Sequence, residues 1–113
     1  MLVSARILTA AAIAGALAIC ALTLPPTSVR AATAFIVIDK LAYGPAPHGL
    51  RVGDTVQWEN RDIFKHSVTA RDGSFDLALA PGAKAKLMLK RAGAILYYCR
   101  YHPRMKGEID VTR

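Results

Sequence analysis

Cys99-Arg100-Tyr101-His102-Pro103-Arg104-Met105 sets a thiol, an imidazole and a thioether at three-residue intervals within one short stretch. A second imidazole, His66, lies upstream in an alternating segment. Sulfur and nitrogen donors mixed in this way suit copper, because Cu(I) favours soft sulfur and Cu(II) favours nitrogen. One Cys, two His and a weak, distant Met form the donor set of copper sites that pass single electrons. Taken singly, each residue has a plainer use: Cys99 as a small buried hydrophobe, His66 as a satisfied core histidine, His102 as a loop residue, Met105 as packing. In that order and spacing the four together point to a metal. His48 sits in a Pro/Gly-rich loop without a ligand-spaced partner, and Met88 alternates with lysines, so neither joins the set. Pro103 stiffens the turn between His102 and Met105.

Such donors need a scaffold that holds them nearly fixed while the metal changes charge. The chain is punctuated for short strands at Phe35–Asp39, Thr55–Asn60, His66–Ala70, Phe75–Leu79, Lys84–Lys90, Ala94–Cys99 and Gly107–Val111. Alternation puts Val56 and Trp58 on one face, and likewise His66, Val68 and Ala70. Ala85, Leu87 and Leu89 share an inward face opposite Lys84, Lys86, Met88 and Lys90. Ile95, Tyr97 and Cys99 point inward, as do Ile109 and Val111. Leu41–Gly49, with two Gly and two Pro, reads as a loop, and Arg71-Asp72-Gly73, Ala80-Pro81-Gly82 and Arg91-Ala92-Gly93 read as turns. Seven close-set strands with no convincing helix predict an all-β fold, a small sandwich or barrel. His66 then comes from the body of a sheet, while Cys99, His102 and Met105 come from one loop closed by two strands.

The full chain has 113 residues and a net charge of +7. Its first part does not read as folded domain. Arg6 supplies a positive start, Ile7–Leu24 is an uncharged Ala-rich apolar run, and Pro25-Pro26 ends any helix. Small or aliphatic residues at −3 and −1 allow cleavage after Ala31 (Val29-Arg30-Ala31) or after Ala34 (Ala32-Thr33-Ala34). The expected organisation is a signal peptide over 1–31, with cleavage after 31 or 34, and a copper-binding domain over 32–113. An uncleaved anchor is the competing reading, since 18 apolar residues lie at the short edge for a membrane span. Lipid attachment at Cys20 fits less well, because Ile19 stands where a small residue is wanted. Export removes Cys20 and leaves Cys99 as a lone thiol in an oxidising compartment, where a cysteine needs burial or a task.

Roughly 80 residues remain, enough for one domain and too few for a two-domain cofactor enzyme. They carry 13 basic and 8 acidic side chains, about +5. There is no long basic block, glycine-rich phosphate loop or aromatic-basic motif, so no nucleic-acid partner is expected.

Cys99-x-x-His102-x-x-Met105, followed by Lys106-Gly107, resembles the short ligand loop of the amicyanin group of the cupredoxins, the type 1 blue copper proteins. Trp58-x-Asn60 with His66 six residues after the Asn, together with Tyr97 and Pro103, extends the resemblance from the first strand to Val111. The resemblance implies an all-β, small antiparallel Greek-key β-sandwich with one type 1 copper per chain, held equatorially by His66, Cys99 and His102 with Met105 axial. It implies that Asn60 hydrogen-bonds near the ligand loop and holds it. It also implies a periplasmic, monomeric electron carrier rather than an enzyme, with a dehydrogenase acting on amines as donor and a c-type cytochrome as acceptor. Lys65 replaces a proline of the group, Arg104 replaces an aromatic residue, and Arg100 follows the Cys. The face around His102 is therefore more basic than the group's apolar patch.

A periplasmic copper carrier or buffer is the alternative function. Its sites would be more exposed and richer in Met and His, and this chain has three Met, one of them the start residue. A Cys-His hydrolase would need an orienting Asn or Asp and an oxyanion hole, which one short loop serves poorly. Met is a poor zinc ligand, which disfavours a structural zinc.

Overall fold

The computed structural model describes Leu2, Ser4, residues 9–28 and residues 30–113. Arg6, Ile7 and Val29 of the expected leader lie outside the described residues. Among those described, none before Thr33 enters a strand or helix, and no helix is long and apolar enough to cross a membrane.

Nine strands follow: β1 (Thr33–Asp39), β2 (Ala42–Tyr43), β3 (Leu50–Arg51), β4 (Thr55–Asn60), β5 (His66–Ala70), β6 (Asp76–Leu79), β7 (Lys84–Met88), β8 (Gly93–Tyr98) and β9 (Lys106–Thr112). The seven expected strands are all present, and the two additional ones have two residues each. One sheet runs β2-β1-β4-β7 and the other β3-β9-β8-β5-β6. Five pairings are antiparallel, but β1 pairs β4 and β3 pairs β9 in parallel. The sandwich is thus mixed rather than purely antiparallel. A parallel neighbour needs a long crossover, and residues 40–54 supply it between β1 and β4.

Packing follows the alternation. Ile36, Ile38, Val56 and Trp58 of the first sheet cluster with Val68, Leu79, Ile95, Tyr97, Ile109 and Val111 of the second, all buried. Each large apolar side chain so buried contributes about 1.5–3 kcal/mol. The Tyr97 ring meets the edges of Trp58 and Tyr43, with centroids 5.6 and 4.8 Å away, which fixes it at the centre. β5 departs from strict alternation, because Ser67 and Thr69 are buried along with His66, Val68 and Ala70. Their hydroxyls bond each other at 2.9 Å, and this pairing is what makes a polar second face tolerable in the interior.

The registers divide the sandwich into two ends. Thr33, Thr55 and Met88 lie at one, together with Gly93 and Val111. Asn60, His66, Leu79, Tyr98 and Lys106 mark the other, where the candidate metal donors gather.

Candidate metal centre

Cys99 directly follows β8 and Met105 directly precedes β9, so the loop between them is pinned at both ends by the β8–β9 ladder. Cys99 N–H donates to the Met105 carbonyl at 3.1 Å, and Met105 N–H donates to the His102 carbonyl at 2.8 Å. These two bonds fold the seven residues back on themselves and turn Cys99 and His102 to the same side. His66 opens β5 and reaches the point from the sheet.

The result is a triangle of donors. Cys99 Sγ lies 3.6 Å from His66 Nδ1 and 3.8 Å from His102 Nδ1, and all three ligand atoms fall within 4.8 Å of one another. Bonds of about 2.0 Å to nitrogen and about 2.3 Å to sulfur, set at 120°, would separate the donors by about 3.7 Å. The observed sulfur–nitrogen spacings match a single ion at the centre. His66 and Cys99 are fully buried, and His102 is half-buried. Met105 is buried beside them. His48 and Met88 are exposed and take no part.

Surrounding groups fix the donors. The Asp62 carboxylate accepts from His66 Nε2 at 2.9 Å, which places the ring proton on Nε2 and leaves the Nδ1 lone pair directed at the triangle. Asp62 is itself held by the N–H groups of Leu41 and Ile63. The Leu41 N–H, then His66, keeps its carboxyl below the usual range. Leu41 and Lys40 both have positive φ, 58° and 51°, in the tight β1–β2 turn, and the Asp62 bond stabilises that unusual conformation.

Asn60 does not bond the Cys99–Met105 loop. Its amide donates to the carbonyls of Phe64 at 2.8 Å and Leu79 at 3.0 Å, and its oxygen accepts from Asp62 N–H. It shapes the segment that delivers His66. The residue that ties the two halves of the site together is Ser67, which sequence reasoning missed. Its N–H points at Cys99 Sγ from 3.4 Å, and its hydroxyl accepts from Arg100 N–H at 2.8 Å. An inward-alternating His66 implied that its neighbour faced out, so no signal marked Ser67 before the loop was seen to cover it. Tyr43 caps the same strand by donating to the Ser67 carbonyl, and burial, reinforced by the Cys99 sulfur, pushes its hydroxyl well above the usual range.

No family model matches the chain. The amicyanin of Paracoccus denitrificans is 35% identical over 95 residues, spanning 77% of this chain and 72% of that protein. The chain belongs to the amicyanin family. A second amicyanin, from Paracoccus versutus, is 26% identical over 92 residues, covering 74% of this chain and 67% of the other. A solved amicyanin variant in its Cu(I) form superposes with a TM-score of 0.61 at 29% identity, over 74% of this chain and 86% of that one. An oxidised amicyanin variant gives 0.62 at 28% identity, over 69% and 80%. As an amicyanin-type cupredoxin with a trigonal nitrogen–sulfur cluster, the protein is a blue copper electron-transfer protein with one type 1 copper.

Around His102 the surface combines exposed apolar side chains, Leu41, Ile63, Phe64 and Tyr101, with cations. Lys65 Nζ and the Arg100 guanidinium lie 5.1 and 5.2 Å from the Tyr101 ring centre. Arg100 is not a free charge, because its Nε bonds Asp76 at 2.9 Å. The Thr69 hydroxyl, then Arg100, holds the Asp76 carboxyl below its usual range. Lys65, Arg104 and Lys106, by contrast, have no ion-pair partner among the described residues.

Proposed function

We propose that His66 Nδ1, Cys99 Sγ and His102 Nδ1 hold the copper in its equatorial plane, with Met105 as the weak axial ligand. The donor triangle carries this reading, because its two sulfur–nitrogen edges suit a single ion and two of its corners are buried. Such a site relays electrons rather than handing metal on. Met105→Gln is expected to retain copper while lowering the reduction potential, because an oxygen donor favours Cu(II). Voltammetry of the purified protein checks it, and an unchanged potential with full copper occupancy removes Met105 from the axial position.

The protein so loaded is a monomeric periplasmic electron carrier, not an enzyme. Residues 1–31 act as its export signal and residues 32–113 as its cupredoxin domain. Electrons pass through the half-buried His102 edge, since His66 is fully enclosed. The partners are redox proteins: a dehydrogenase as donor and a c-type cytochrome as acceptor. Lys65, Arg104 and Lys106 around an apolar centre favour an acidic docking face on the partner, and their attraction is screened over about 8 Å at physiological ionic strength. Arg104→Glu is expected to slow electron transfer several-fold at low salt and flatten its salt dependence, with an unaltered copper spectrum. Stopped-flow rates against ionic strength decide the matter, and rates indifferent to both salt and Arg104→Glu place docking elsewhere.

A further inference from the structure

The chain joins the sandwich at Ala31 and Ala32, at the end away from the copper site. Ala32 N–H donates to Asp54 Oδ1 at 2.9 Å, and the Ala32 carbonyl accepts from Thr55 N–H at 2.9 Å. The second Asp54 oxygen accepts from Arg51 N–H at 2.9 Å, so this carboxylate, 8% exposed, anchors both the start of the domain and the turn before β4. Ala31 and Ala32 are exposed, and so are the described residues 9–28 and Arg30 that precede them. Beyond Ala32 the chain enters β1. Thr33 and Ala34 pair with Thr55 and Val56 in β4, and Ala34 packs against the core.

Resting on the reading of residues 1–31 as an export signal, we infer that processing occurs at the Ala31–Ala32 bond and that the ammonium group so created pairs with the Asp54 carboxylate. A signal peptidase adds water across that amide, leaving a carboxylate on Ala31 and an α-amino group on Ala32, which takes up a proton. The N–H that already points at Asp54 becomes a charged donor, which adds Coulomb attraction to a bond whose acceptor is already ionised. Cleavage after Ala34 has no such outcome. The Ala34–Phe35 bond lies within β1. A chain starting at Phe35 would lose two strand pairs, the Ala34 packing and the partner of Asp54 Oδ1. Arg51 and Arg113 border the same hollow as Asp54 and Ala31, and Asp54 supplies the side-chain carboxylate that the new ammonium needs there.

The test is to produce the full-length chain with its own leader in a bacterial host with a periplasm. The exported protein is then read by N-terminal sequencing and intact mass. A single species beginning at Ala32 is expected. A start at Phe35 overturns the inference and leaves the export reading intact. A retained leader, or a chain lipid-modified at Cys20, overturns both. For the ion pair, selective acetylation of the Ala32 amine should lower Tm by about 3–5 °C in the processed wild type and hardly change it in Asp54→Asn. An equal effect of acetylation in both proteins overturns the pairing.

Discussion

Cys99→Ser is expected to abolish the intense visible absorption of the copper-loaded protein. That absorption arises when charge moves from a thiolate to Cu(II), and Cys99 is the sole sulfur of the donor triangle. A serine hydroxyl in its place is a far weaker acid and a harder donor, so copper affinity should also fall by orders of magnitude. The fold should survive. Serine is close to cysteine in size, and the Cys99–Met105 loop is held by main-chain bonds that the substitution leaves alone. The cost to the apoprotein is that of burying a new hydroxyl, about 1–3 kcal/mol, offset where Ser67 N–H donates to it. Titration with Cu(II), followed by visible absorption beside circular dichroism, separates loss of the site from loss of the fold. A variant that remained as blue as the wild type would remove Cys99 from the metal.

Gly107→Ala is expected to destabilise the domain by about 2–3 kcal/mol, the upper part of the range for overpacked cores. For a domain of this size that is a fall in Tm of about 10–20 °C. Gly107 lies directly across the β8–β9 ladder from Tyr97, whose ring rests on the glycine so closely that a methyl group would overlap it. Tyr97 cannot step aside, because Trp58 and Tyr43 abut its ring. The glycine is also two residues past Met105, and Tyr97 two before Cys99, so any shift reaches the base of the ligand loop. Thermal unfolding of the apoprotein gives the stability change. The penalty should shrink in a Tyr97→Leu background if the two residues clash directly. A Tm within a degree or two of wild type would mean that the ring is free to move.

The donor set was legible in the sequence for a chemical reason. Cys99, His102 and Met105 are local to one another, so their spacing alone reports the loop that holds them, and His66 announces itself by polarity in an apolar strand face. The strands were legible for a similar reason. In β4, β7, β8 and β9 one face is core and the other solvent, and a period of two follows directly.

What the sequence left open depended on contacts between distant segments. The parallel β1–β4 and β3–β9 pairings arise from a crossover whose path no local pattern dictates. The β1–β2 turn uses Lys40 and Leu41 at positive φ, where the usual signal would be Asn or Gly, and it is secured by Asp62 from another loop. Ser67 became part of the site because β5 is covered on both sides, and Asn60 served the His66 segment rather than the Cys99 loop. Asp76 took up the charge of Arg100, while Lys65 was brought in beside Tyr101. Residue type and spacing determined which donors are present and that copper suits them. Tertiary packing alone decided which segments meet around them and which charges remain free around His102, because these rest on bonds between segments far apart in the chain, such as Ser67 with Cys99 and Arg100 with Asp76.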